Sequence, residues 1–394
     1  MIKADILCSE MRNLNGANRV TEKLILGRDK FMDNGIELRY LITSDAVTDC
    51  SSYVSKLGFQ TDTARKKRKL VSALKKSPLY RTFPVQSRLQ DKTIAYSKIA
   101  VDKYVEKNER ADCIIFQDIY TAYHFFNAFP APEEKTVLIT HTDTDPLEQL
   151  FINRPELKRK QYEKKLRDIL RVVFTNVDTV VTICHSSQNY LRENYPIDPV
   201  CIHNGIEDCH VISKHDNDKI KFVILGSVIY RKGHDLLIDA ISAMSKANRE
   251  KMELHIIGEG NEFQEIKKTI ECRNLSDVCI MHGMMTDVKP ILPMMDVMIL
   301  PSRADTVPIS IIEGMRAGLP VIATGVGEIP YMIDGCGVII GANVEDIKGA
   351  LEKTISGQYD IFALGKNARE RFLKLFALDE MIMRYSEVIN ETCK

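Results

Sequence analysis

Two carboxylates, Asp305 and Glu313, stand eight positions apart in the otherwise apolar stretch ADTVPISIIEGMRAGLPVIAT (304–324). Two cations, Arg231 and Lys232, lie between Gly226 and Gly233 in GSVIYRKGHDLLIDA (226–240). An acid among packed residues needs partners, and Glu313 shares a helical face with Ile309 and Ile312. Ribose hydroxyls would serve it. Cations in a glycine-bounded loop suit a diphosphate whose charge develops as it leaves. A plainer reading has Asp305 capping the helix, Glu313 solvated on its outer face, and Arg231 and Lys232 as ordinary loop cations. Spacing alone does not separate the two.

The elements that must hold these residues are strands and helices in alternation. Strand DVMIL (296–300) ends at Pro301, and a loop runs through Asp305. Pro308 suits the first turn of the helix ISIIEGMRA, which Gly318 and Pro320 stop. Its free N–H groups would face the same loop, an arrangement that binds phosphate. Strands are expected at 2–8, 36–42, 112–117, 136–140 and 178–183, then at 221–226, 252–258, 278–283, 296–300 and 320–324. They are continuous apolar runs, which suits parallel strands buried on both faces. Helices such as 236–247 and 262–270 fill the gaps, so βαβ units follow.

With 394 residues the chain exceeds one ordinary core. The expected division is 1–208, a polar linker at 209–219, 220–375, and a C-terminal helix at 376–394 crossing back to the first domain. Lys plus Arg and Asp plus Glu both number 54, which argues against a nucleic-acid partner. The ten cysteines form no C-x-x-C pair, so neither a zinc ribbon nor a dithiol redox site is indicated. Reduced thiols in a cytoplasmic protein fit better. The start MIKADILCSEM does not read as a signal peptide, and no apolar run is long enough to span a bilayer.

The quoted motifs carry a resemblance. GSVIYRKGHDLL, HIIGEGNEF, VCIMHGMMTDV and MILPSRADTVPISIIEGMRAGLPVIATGVGEIP stand in the order found in the family 4 (group 1) retaining glycosyltransferases. The acid pair resembles that family's E-x7-E signature, here D-x7-E. NGANRV (15–20) is similar to its Gly-rich donor loop, VCIHNGIE (200–207) to the stretch entering the linker, and VLITHTDTDP (137–146) puts His141 where many members have a His beside the donor sugar.

The resemblance implies an α/β protein of the GT-B fold, two facing Rossmann-like, doubly wound parallel-sheet domains. It implies catalytic roles for His141, Asp305 and Lys232. It implies a donor site of Gly16, Arg231, Lys232, Gly258, Asp305 and Glu313. Glu313 would hold ribose hydroxyls, Asp305 the donor sugar, and Lys232 with Arg231 the diphosphate. Gly16 would admit the diphosphate close to backbone. Three positions depart: Asp305 is a methylene short of the usual Glu, Ser227 replaces an Arg, and Tyr331 replaces a Glu.

The implied activity is metal-independent, retaining transfer from a nucleotide diphosphate sugar to a cytoplasmic sugar, glycolipid or glycan acceptor in polysaccharide assembly. No cofactor is expected; the nucleotide-sugar is a co-substrate, a UDP-sugar by preference, although the residues do not choose among UDP, GDP and ADP. The alternatives are a catalytically silent nucleotide-sugar-binding or scaffolding protein, and a phosphorylase or epimerase on the same fold.

Other signals weigh less. Asp143 and Asp145 form a D-x-D of the kind that holds metal in a different fold, but such triplets are frequent by chance. His124 reads as a packed helix residue and His203 as structural, while His185 could equally reach the cleft or serve helix entry beside Ser186. Residues 64–92 carry Arg65, Lys66, Lys67, Arg68, Lys69, Lys75, Lys76, Arg81, Arg88 and Lys92 against the single acid Asp91. That stretch suits an anionic membrane surface, peripheral to the inner face of the plasma membrane, or a phosphate-linked lipid acceptor. A solvated helix face is the plain alternative.

Overall fold

Apolar runs without polar alternation become strands covered on both sides: Ala4, Ile6 and Leu7 in the first, and Phe222, Val223 and Ile224 in the second half, are all fully buried. The computed structural model describes residues 1–11, 16–53, 78–209 and 219–394. The chain divides into two units, Met1–His203 with Ile382–Lys394, and Asn204–Met381. The basic residues Arg65, Lys66, Lys67, Arg68, Lys69, Lys75 and Lys76, and most of the 209–219 linker, lie outside the described residues.

The first unit holds β1 (Ile2–Cys8), β2 (Ile36–Thr43), β3 (Val47–Asp49), β4 (Cys113–Phe116), β5 (Lys135–Thr140), β6 (Thr179–Thr182) and β7 (Val200–Cys201). They form one sheet in the order β3-β2-β1-β4-β5-β6-β7. Among the described residues only the β2–β3 edge is antiparallel. The second unit holds β8 (Ile220–Leu225), β9 (Met252–Ile257), β10 (Cys279–Gly283), β11 (Val297–Leu300), β12 (Val321–Thr324) and β13 (Gly337–Ile340). Their order is β10-β9-β8-β11-β12-β13, and every described pairing is parallel. Counted from β8 this is 3-2-1-4-5-6, the Rossmann order.

Both sheets therefore reverse direction beside their first strand, between β1 and β4 and between β8 and β11. Ligands bind at the carboxyl ends of strands at such switch points. The helices pack as their apolar spacing requires. In Ile309–Arg316, Ile311, Ile312 and Met315 are fully buried, each contributing roughly 1.5–3 kcal/mol.

Two expectations need adjustment. The helix expected over 236–247 is broken: His234–Ser242 ends at Ala243, and the short Lys246–Arg249 helix begins anew. Ser245 explains the break, because its side chain accepts from Asn248 N and favours a fresh N-cap over continuation. Pro308 is the residue before the helix and not its first helical position.

In the first unit, Ile382 of the Leu378–Thr392 helix fills the space beside Gly27, where a Cβ would meet its Cδ1 at 1.9 Å. Thr392 Oγ1 lies 2.8 Å from Thr179 Oγ1. All ten cysteines are free thiols. Among the described residues, no helix is long and apolar enough to cross a membrane.

Candidate functional site

The switch point of the second sheet is where the predicted charges meet. After β8 the chain makes a short 3-10 turn, Tyr230–Lys232, and Gly233 reverses it with φ 72°. A Cβ on Gly233 would lie 2.1 Å from Pro301 O, so only glycine lets this turn approach the end of β11. Gly258, at the end of β9, has φ 140° and would place a Cβ 1.9 Å from Gly226 O. It brings the β9 loop against the β8 loop.

Within that frame Lys232 Nζ lies 2.5 Å from Asp305 Oδ2, and Arg231 Nη1 lies 3.1 Å from Asp305 Oδ1. Ser302 Oγ donates to the same carboxylate at 3.4 Å. Arg231 also donates to Ala304 O at 2.8 Å. Lys232 is only 8% exposed, which is unusual for lysine and reflects this pairing. Asp305 therefore does not cap the following helix. Pro308 is the N-cap and supplies no side-chain hydrogen bond. Ser310 Oγ, in the first turn, is buried with no hydrogen-bond partner among the described residues. Glu313 is half-buried on this helix, beside the fully buried Ile312.

Arg303 and Asp235 were missed by the sequence argument, although both lie in quoted stretches. Arg303 grips Asp235 with two hydrogen bonds, 2.8 and 2.6 Å, and donates to Tyr230 O at 2.6 Å. Its guanidinium sits 3.9 Å from the Tyr230 ring centroid. It thereby fixes the turn that carries Arg231 and Lys232. The available signal was Arg303's position two residues before Asp305.

In the first unit, Gly16 opens the helix Gly16–Leu26 after β1. His141 follows β5, and its Nε2 lies 3.0 Å from Gln117 Oε1, just after β4. His141 Nδ1 and Gln117 Nε2 are buried and have no hydrogen-bond partner among the described residues. Burial lowers the His141 pKa from 6.5 to about 4. The neutral ring donates through Nε2 and leaves Nδ1 as an acceptor. Asp145 of the D-x-D is engaged by Arg167 at 2.8 Å. His124 lies 2.8 Å from Ile94 O, in keeping with a packed helix residue.

His234, next to Lys232, is also held neutral. Burial first, then the Lys232 charge, lowers its pKa to about 4. Both folded values lie below the unfolded 6.5, so the stability they contribute is complete above pH 6.5. It is lost as pH falls toward 4. Urea midpoints should therefore drop between pH 7 and 5, and drop less in a His141→Gln/His234→Gln chain. Equal slopes in the two chains would show that other groups carry the effect.

The chain matches the family Glycosyl transferases group 1 over residues 206–371. It matches Glycosyltransferase Family 4 over residues 60–208. It is 28% identical over 233 residues to an uncharacterized glycosyltransferase of Methanocaldococcus jannaschii, covering 58% of this chain and 63% of that protein. It is 25% identical over 243 residues to N-acetyl-alpha-D-glucosaminyl L-malate synthase of Bacillus anthracis, covering 57% and 63%. The matches thus span less than two thirds of these relatives.

Among solved structures, Anabaena HepE in complex with UDP superposes with a TM-score of 0.65 at 13% identity, over 99% of this chain and 100% of that one. The sucrose-phosphate synthase of Thermosynechococcus elongatus gives 0.67 at 15%, over 99% of each. The two family matches follow one another along the chain, over 60–208 and 206–371, and together mark it as a group 1, family 4-like glycosyltransferase, while the solved structures show the GT-B fold.

Proposed function

We propose that this protein moves a sugar from a nucleotide diphosphate donor to a sugar or glycan acceptor on the cytoplasmic side. The anomeric configuration is retained, and the protein's own cations serve the diphosphate in place of a metal. The supporting observation is the cluster of Lys232, Arg231 and Asp305 at the β8–β11 switch point. The uncapped start of the Ile309–Arg316 helix follows four residues after Asp305.

Ligand-free, Asp305 occupies the two cations. A donor diphosphate takes them over, because its charge exceeds that of a carboxylate and the helix N–H groups add to the attraction. Asp305 is then released to a sugar hydroxyl. Glu313 accepts from ribose hydroxyls, and His141 Nδ1 accepts from the donor sugar. Gly16 and Gly258 keep backbone close to the ligand.

In the reaction, the bond from the anomeric carbon to the β-phosphate oxygen breaks and its electron pair stays on phosphate. Lys232 and Arg231 offset that developing charge. A bond forms from the acceptor oxygen to the anomeric carbon, and the acceptor proton passes to the departing phosphate. HepE was crystallised with UDP, which supports a UDP-sugar as donor here.

A panel of UDP-, GDP- and ADP-sugars tests this. One donor should raise the melting temperature by mass action. With an acceptor present it should release nucleoside diphosphate at a rate insensitive to added Mg2+, and give a product of unchanged anomeric configuration. A stabilising donor that is never consumed would mark a silent binding protein instead. An inverted product would remove retention.

A further inference from the structure

We propose that His185, Cys201 and His203 form a site for a soft divalent transition metal, zinc by ligand type, which the sugar-transfer reading neither uses nor requires. β6 and β7 are adjacent and parallel, with Thr182 opposite Cys201 and Ile202 N donating to Thr182 O at 2.8 Å. Their carboxyl ends therefore bring the first residue of the helix His185–Asn194 beside the Cys201–His203 segment. Residues two apart on an extended chain point to one side. Cys201 and His203 have this spacing, and both are buried, 6% and 2% exposed.

The distances suit a metal. Cys201 Sγ lies 3.9 Å from His203 Nε2. The His185 and His203 ring centroids are 5.2 Å apart. One ligand atom from each of the three residues lies within 4.8 Å of the others. Tetrahedral zinc, with its usual bond lengths to sulfur and nitrogen, separates two such ligands by roughly 3.6 Å. Small side-chain rotations close the difference.

One thiolate and two imidazoles favour zinc over magnesium or calcium, which take oxygen ligands. His185 is only half-buried, which gives the ion a way in. His185 also starts a helix, where a cation is disfavoured only weakly and two imidazoles with a thiolate outweigh it. Binding displaces the Cys201 proton to solvent as the S–metal bond forms, so affinity rises with pH. A C-x-H pair escapes a search for C-x-x-C spacing, and the third ligand comes from the neighbouring strand's loop.

The test is a Co2+ titration of the full chain after chelator stripping and removal of the chelator. One equivalent should produce the near-ultraviolet thiolate-to-cobalt charge-transfer band, and Zn2+ should abolish it. Cys201→Ser should remove the band, which distinguishes this thiol from the other cysteines. His185→Ala should weaken Co2+ binding at least about tenfold, with the metal-free melting temperature recorded as the control for folding. His185 is half-buried, so this variant decides the matter even where Cys201→Ser does not fold. No band in the wild-type chain, a band that survives Cys201→Ser, or an affinity unmoved by His185→Ala would each overturn the site.

Discussion

Lys232→Ala lowers the turnover of the true donor by about 10²–10³-fold, chiefly in kcat. Lys232 Nζ is fixed 2.5 Å from Asp305 within a turn that Gly233 and Arg303 hold in place. A preorganised charge of that kind contributes roughly 2.7–4 kcal/mol where negative charge develops. Charge on the leaving oxygen grows toward the transition state, so the loss falls on the chemical step more than on donor binding. Arg231→Ala should cost about tenfold or less, because its side chain is 48% exposed and water replaces part of its effect. Steady-state kinetics with both variants measures the split, and a Lys232→Ala enzyme with unchanged kcat refutes the assignment. Melting temperatures serve as the control, since Lys232 also offsets the Asp305 charge in the ligand-free fold.

Glu313→Gln should raise the donor KM by about 10–100-fold and leave kcat near its wild-type value. A hydrogen bond to a charged group contributes roughly 1.5–3 kcal/mol. Ribose does not change between ground and transition state, so the loss is one of uniform binding. The substitution preserves shape on a helix whose neighbours Ile312 and Met315 are fully buried, and melting temperatures check that the fold survives it. An unchanged KM would return Glu313 to an ordinary surface residue.

The parallel sheets were legible because buried strands need unbroken apolar runs. β1 begins and ends where IKADILC does, and β8 and β9 fall within a residue of their expected bounds. β3 was illegible because an exposed three-residue edge needs no apolar pattern. β7 has only two residues, and β13 hides among glycines. Lys232, Arg231 and Asp305 were each legible from their flanking glycines and strand ends. Their mutual ion pairs were not, because 73 residues separate Lys232 from Asp305 and only the β8–β11 adjacency joins them. By resemblance the carboxylate belongs to the sugar and the cations to the phosphate. In the ligand-free chain they hold one another.

That exchange of partners is the central claim, and a structure of the protein with its nucleoside diphosphate tests it most directly. A diphosphate oxygen should lie within about 3 Å of Lys232 Nζ, with Asp305 turned away from it. A diphosphate bound elsewhere, with the Lys232–Asp305 pair intact, would contradict it.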